Sequence, residues 1–383
     1  MGTRTPERAA GNVTSPVTSF VGRRHELAAA KQRMSESRMV TLVGVGGVGK
    51  TRLALRVAAE SGKAFRDGVW MVDLASLTDQ SRLAQTILSA LEVRDQSARR
   101  DEDKLADHLK DRQLLIVLDN CEHLLVPSAV LADHLLRVSP GLRVLATSRE
   151  PLGIDGEHLL TVPPLRTPTI DTDCTRPVEA LAQYEAVQLL VDRAHAVQPD
   201  FDVTEDNHRS VARLCTWLDG IPLAIELAAA RLRSLSVAEV VDRLGDRFGF
   251  LTGGSRAAQP RQQTLRAMIN WSYELCTPEE QLLWARLSVF AGSFDLAAAE
   301  DVCSDDHLNA ETVVDLVDHL VAKSLLVADR RGESVRYRML VTVREFGGEL
   351  LARAEQQEQL RRRHRDHYLG RARTMAAEWC GPD

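Results

Sequence analysis

At 383 residues the chain is too long for one small module, and at roughly 150 residues per domain it has room for two or three. Its 48 basic and 54 acidic residues leave a net charge of −6, the wrong sign for a protein that coats nucleic acid, although a local basic patch is still allowed. With 44% apolar, 27% charged and only 4% aromatic residues, global disorder is excluded, and the cores must be built from Leu, Val and Ala, a mix that favours helices and buried parallel strands. The cysteines at 121, 174, 215, 276, 303 and 380 form no CxxC, which argues against a zinc ribbon, a redox motif or a disulfide scaffold and for reduced, buried thiols. No signal-peptide core and no apolar run near the roughly 18 residues of a membrane span is present, so a cytoplasmic location and no membrane partner are expected.

In chain order, residues 1–18 are rich in Thr, Pro, Gly and Ser and read as a flexible leader, with order beginning at Phe20. From 19 to 170, the short apolar runs Met39–Val43, Val69–Leu74, Leu114–Leu118, Arg143–Thr147 and His158–Val162 alternate with helical stretches. That pattern predicts an α/β domain, a parallel sheet covered by helices on both faces. Residues 171–255 lose the strand signal and space Ala186, Leu190, Leu214, Ile225, Val240 and their neighbours at helical periodicity, giving a four-helix domain that ends in the Gly, Ser and Pro cluster 251–260. Between 256 and 350 come two helices joined by a Thr277, Pro278, Glu280 capping signal and an amphipathic helix at 310–323. A hairpin of Leu325–Ala328 and Val335–Leu340 around Arg330 to Glu333 follows, completing the outline of a winged helix. The remainder, 351–383, begins a charged helical region.

The chemistry is concentrated after the first strand. Gly44, Val45, Gly46, Gly47, Val48, Gly49, Lys50 and Thr51 match G-x-x-x-x-G-K-S/T between a strand and a helix, the context of a P-loop NTPase. Glycines let backbone N–H groups turn inward around phosphates at a helix N-terminus; Lys50 supplies a cation for the β and γ phosphates, and Thr51 a hydroxyl for Mg2+. Asp119, at the carboxyl end of a buried run, is the expected Mg2+ partner. Asn120 stands where many hydrolysing relatives carry an acid, and Glu122 is the nearest substitute base, so slow hydrolysis is expected. Arg149 follows the fourth run; if that strand lies between the first and the Asp119 strand, Arg149 projects toward a γ phosphate, and otherwise it is a surface ion pair. No guanine-selective Asn-Lys-x-Asp occurs, which favours adenine, and a small-molecule kinase finds no evident acceptor pocket.

With these elements in order, the chain resembles a STAND-class signalling ATPase of the NB-ARC type, especially the ATPase modules of large bacterial AfsR- and LuxR-related transcriptional regulators. The resemblance covers about residues 17–368 and is carried by Phe20-Val21-Gly22-Arg23 with Glu26, GVGGVGKTRLA, VLDNCEHLL from Val117, ATSREPL from Ala146, DGIPLAIELAAARL from Asp219 and TLRAMINWSYEL from Thr264. It implies ATP/ADP and Mg2+ as cofactors, adenine contacts from Val21 and Arg23, a place for Arg52 beside Lys50 and Thr51, and a proline on the base at Pro222. Pro222 equally suits a first helical position. It further implies a closed ADP state and an open ATP state that engages a protein partner or self-associates, with sensor and any DNA-binding domain elsewhere. The family's Met-His-Asp triplet aligns with Met339, Leu340 and Val341, so its histidine latch is missing or replaced.

The alternative is a DNA-binding regulator with a structural nucleotide. Against it, helix 310–323 carries Glu311, Asp315 and Asp318 against Lys323, which would repel phosphate, so an intramolecular lid is expected. Arg353 to Arg373 holds seven arginines against three acids, a pattern of a solvated or docking face. His364 and His367 lack a strong third ligand and are not expected to bind metal.

Overall fold

The computed structural model describes residues 11–13, 18–95, 97–169, 178–244, 265–331 and 334–379. Contacts divide the chain into two units, 1–165 and 166–383. In the first, β1 (Met39–Val43), β2 (Val69–Asp73), β3 (Leu114–Asp119), β4 (Leu142–Ser148) and β5 (Glu157–Thr161) form one parallel sheet in the order β2-β3-β4-β1-β5. Each strand lies within one or two residues of its predicted run. The runs of β1, β3 and β4 are buried on both faces and those of the edge strands β2 and β5 only in part, and alternate residues of β3 feed different cores. Leu114, Ile116 and Leu118 of β3 pack with Ile87 of α3 (Leu83–Ala90), Leu105 of α4 (Asp101–Leu109) and Leu135 of α5 (Leu125–Val138). Leu115 and Val117 pack with Ala30 of α1 (Arg24–Glu36) and with Leu53 and Val57 of α2 (Lys50–Ser61).

The topology carries one functional consequence. β4 is inserted between β1 and β3, so the carboxyl ends of the strand bearing the glycine loop and of the strand bearing Asp119 flank the end of the strand that leads to Arg149. Within the expected leader, Gly11 bridges Val69 and the Asn12 side chain exchanges two hydrogen bonds with the Met71 backbone, at 2.9 and 2.6 Å. This piece therefore extends the sheet edge; most of the leader lies outside the described residues.

The second unit begins with a single turn, α6 (Val178–Leu181), and four full helices: α7 (Glu185–His195), α8 (His208–Trp217), α9 (Pro222–Arg231) and α10 (Val237–Leu244). The predicted apolar positions Ala186, Leu190, Leu214, Ile225 and Val240 are all buried. The boundary cluster 251–260 lies outside the described residues. Beyond it, α11 (Leu265–Glu274) and α12 (Pro278–Leu287) meet at the predicted capping box: the Thr277 hydroxyl accepts from the Glu280 N–H, and the Glu280 carboxylate accepts from the Thr277 N–H.

Next come α13 (Leu296–Cys303), α14 (Ala310–Ala322) and the antiparallel pair β6 (Leu326–Arg331) and β7 (Ser334–Met339). Two helices follow, α15 (Val341–Arg353) and α16 (Gln357–Trp379). Arg330 and Arg331 belong to β6 rather than to the turn, and Leu340 leaves the strand to precede α15. The hairpin is longer on its first side because Asp329 to Arg331 find backbone partners in Ser334 to Arg336 despite their poor strand propensity. Trp284 anchors this region: its indole N–H donates to the Val343 carbonyl at 2.9 Å, and its ring packs on Tyr273 and Phe346. On α14, Val313, Leu316, Val317 and Leu320 face inward while Glu311, Asp315 and Asp318 are exposed. Lys323 is turned back onto Glu280 at 2.6 Å, so the outward face of this helix is acidic.

The four described cysteines, Cys121, Cys215, Cys276 and Cys303, are buried free thiols, and burial pushes Cys215 and Cys303 up to about 12. His364 packs edge-on to Phe290, and His367 Nδ1 is within hydrogen-bond distance of Asp301 at 2.6 Å, so each ring has a packing or hydrogen-bond partner of its own.

Candidate functional site

The loop after β1 is shaped by its glycines. A Cβ on Gly44 would stand 2.7 Å from the Val162 carbonyl oxygen, and Gly49, the residue before α2, has φ 98, a conformation glycine alone adopts without strain. That turn starts α2 at Lys50, whose ammonium folds back to donate to the Gly44 and Val45 carbonyls at 2.7 and 3.1 Å. Burial lowers the Lys50 pKa from 10.5 to about 8; Arg149 pushes the same way, while Glu122 and Asp119 oppose it.

Beside Lys50, the Thr51 hydroxyl donates to Asp119 Oδ1 at 2.7 Å. The Thr147 hydroxyl donates to the same oxygen at 2.6 Å, and Asn120 Nδ2 donates to Oδ2 at 2.8 Å. Asp119 is 3% exposed, and burial raises its pKa despite the Thr147 and Thr51 hydrogen bonds. A buried carboxylate next to a hydroxyl, at the carboxyl edge of a parallel sheet, is a donor set that a hard divalent cation bridging to phosphate satisfies. The residues present therefore fit a magnesium nucleotide. At the same edge, Arg149 Nε pairs with Glu122 Oε1 at 3.3 Å, both side chains being under 10% exposed. The Arg149 pair is thus buried rather than on the surface, and both of its charges act on Lys50.

The structure thus brings Lys50, Thr51, Asp119, Glu122 and Arg149 together. Arg23, in the left-handed region at φ 63, turns its guanidinium to the Val48 carbonyl at 3.0 Å and to Glu26, bracing the glycine loop from outside. Val21, half-buried, lies two residues before it. Arg52 reaches Thr18 and Ser19, tying α2 to the segment before α1. Gly46, Gly47 and Val48 form the turn itself, with Val48 fully buried. Pro222 is the first residue of α9 in the second unit. Sequence reasoning gave no role to Thr147 or to the Asn120 side chain, both of which fix Asp119. The available signal was a hydroxyl residue near the end of an apolar run, which does not point to Asp119 until the strand order is known.

The lowered Lys50 pKa makes a prediction. Near pH 8 the side chain is about half protonated, and anionic phosphates would restore its charge, so nucleotide binding at that pH takes up about half a proton. Affinity accordingly declines as pH rises above 8. Calorimetry in buffers of different ionisation enthalpy reads this directly, and binding without proton uptake at pH 8 would contradict it.

Residues 32–147 match the AAA domain family, and residues 276–352 match the winged helix-turn-helix domain family. Rv0890c of Mycobacterium tuberculosis, named as an HTH-type transcriptional regulator, is 45% identical over 342 residues, 89% of this chain and 37% of that protein. Rv0894, an uncharacterised protein of the same species, is 38% identical over 352 residues, 92% of this chain and 86% of that protein. The regulatory protein AfsR of Streptomyces coelicolor is 30% identical over 346 residues, 86% of this chain and 31% of AfsR. The chain spans about a third of the length of these regulators and most of the length of Rv0894. The AfsR match agrees with the likeness read from the motifs. Among the described residues, no helix is long and apolar enough to cross a membrane, and no group of three or more His, Cys, Asp or Glu side chains is arranged to hold a metal ion.

Proposed function

Because the chain belongs to the AAA-domain P-loop ATPases that carry a C-terminal winged helix-turn-helix, we propose that it works as the ATP/ADP-dependent switch of a cytoplasmic transcriptional or signalling regulator. The observation that carries this reading is the insertion of β4 between β1 and β3, which sets the Arg149–Glu122 pair beside Lys50, Thr51 and Asp119. When bound, a magnesium nucleotide supplies the β–γ phosphoanhydride. Lys50 and the glycine-loop N–H groups hold the phosphates, and Thr51 and Asp119 hold the cation. Asp119 is kept oriented by Thr147 and Asn120.

Arg149 would be the residue that responds to a third phosphate. In exchanging Glu122 for it, Arg149 would release a carboxylate that could activate water. Hydrolysis is expected to be slow because Asn120, the residue after Asp119, cannot take a proton and Glu122 is freed as a base only when Arg149 leaves it. The working parts are an ATPase domain at 19–170, a helical domain at 171–255 and a winged helix at 256–350, followed by a helical region. The ADP form favours a closed arrangement, and ATP favours an open one that engages a protein partner or another copy.

The acidic outward face of α14 supports a lid rather than a reader of DNA. DNA contact is then left to other parts of the regulator. Salt-sensitive retardation of duplex DNA, lost on charge reversal at Arg330 and Arg338, would overturn that assignment. For the switch itself, denaturing the purified protein should release ADP in amounts approaching one per chain. Release of a guanine nucleotide, or failure to bind any adenine nucleotide, would sink the reading.

A further inference from the structure

The first turn of α15 cannot cap itself. Met339, Leu340 and Val341 are apolar, and Leu340, the residue before the helix, gives no side-chain cap. The missing acceptor comes from far upstream. Asp219 Oδ1 accepts from the Val341 N–H at 3.0 Å, and Oδ2 accepts from the Thr342 N–H at 2.9 Å and the Thr342 hydroxyl at 3.1 Å. Asp219 lies between α8 and α9 in the left-handed region at φ 53, beside Gly220 at φ 64; their N–H groups close α8 on the Thr216 and Cys215 carbonyls. This left-handed turn aims the carboxylate away from its own helices. Burial pushes the Asp219 carboxyl up against the pull of its hydrogen bonds, so the cap is held at a cost in desolvation.

We propose that Asp219 is a latch between the helical region and the winged helix: a helix cap supplied in trans, which fastens the exit from the β6–β7 hairpin and whose release loosens the two parts. As a regulator of nucleotide retention this rests on the switch reading above. It places the closing contact at an Asp219–Thr342 pair rather than at any side chain of Met339 to Val341. A purely local cap would stabilise α15 without affecting anything else.

Two variants separate these roles. Asp219→Gly deletes the carboxylate while relieving the left-handed backbone, and Thr342→Val removes one hydrogen bond and leaves both N–H contacts. Hydrogen exchange on the full chain should show the amides of residues 341–347 exchanging about fivefold faster or more in Asp219→Gly and less so in Thr342→Val, with peptides from β3 unchanged. Release of a fluorescent ADP analogue should accelerate in the same order. Unchanged exchange at 341–347 overturns the latch. Faster exchange with unchanged ADP release reduces it to a local cap and overturns its regulatory role. If the parent protein binds no ADP, the switch reading fails separately, and the exchange measurement alone decides whether Asp219 ties the two parts together.

Discussion

Lys50→Ala should purify without nucleotide and lose more than about a hundredfold in ADP affinity, since charge-assisted hydrogen bonds to phosphate are worth roughly 1.5–3 kcal/mol each and on the proposed reading this ammonium would make two. The usual objection, that removing a buried lysine harms the fold, is weak here. Lys50 is held charged at a cost, as its pKa of about 8 shows, and its present partners are two loop carbonyls that water can serve. The nucleotide-free variant should therefore melt no lower than the nucleotide-free parent, whereas the parent alone should gain stability when ADP is added. A variant that retains ADP normally would remove Lys50 from the site.

How much of this was readable in advance depends on the range of the interaction. β1, β3 and β4 were legible because a strand buried on both faces is a continuous apolar run, the partly buried edge strands β2 and β5 carried a weaker form of the same signal, and the glycine loop was legible because its chemistry is sequential. Strand order was not: nothing local in Leu142–Ser148 says that it enters between β1 and β3, although the role of Arg149 depends on that insertion. The same holds for Thr147, which looks like any strand-ending threonine until Asp119 is brought to 2.6 Å from it. Asp219 is the extreme case. In the sequence it is only the first residue of the DGIPLAIELAAARL segment, with no role of its own, whereas its carboxylate caps a helix more than a hundred residues away. Arg330 and Arg331 show the converse, in which tertiary pairing with Ser334 and Val335 overrides a local turn signal.

Arg149→Ala should separate the two nucleotides: ATP affinity falls about 10- to 100-fold, the worth of one charge-assisted hydrogen bond or pair to a γ phosphate, while ADP affinity changes little. The expectation follows from placement. On the proposed reading Lys50 and Thr51 would meet the phosphates that both nucleotides share, but Arg149 follows β4 and pairs with Glu122. Glu122→Gln should move ATP affinity the other way, because Arg149 would no longer be drawn to a carboxylate. It should also slow hydrolysis further if Glu122 is the base. The double variant should show no gain in the ATP-over-ADP preference beyond Arg149→Ala alone, since Glu122 acts on that preference through Arg149, while its pull on Lys50 bears on both nucleotides. A merely structural ion pair predicts a different pattern, with both single variants losing stability and both nucleotides binding equally less well. Equal losses for ATP and ADP in Arg149→Ala would accordingly leave the protein without a sensor at this position.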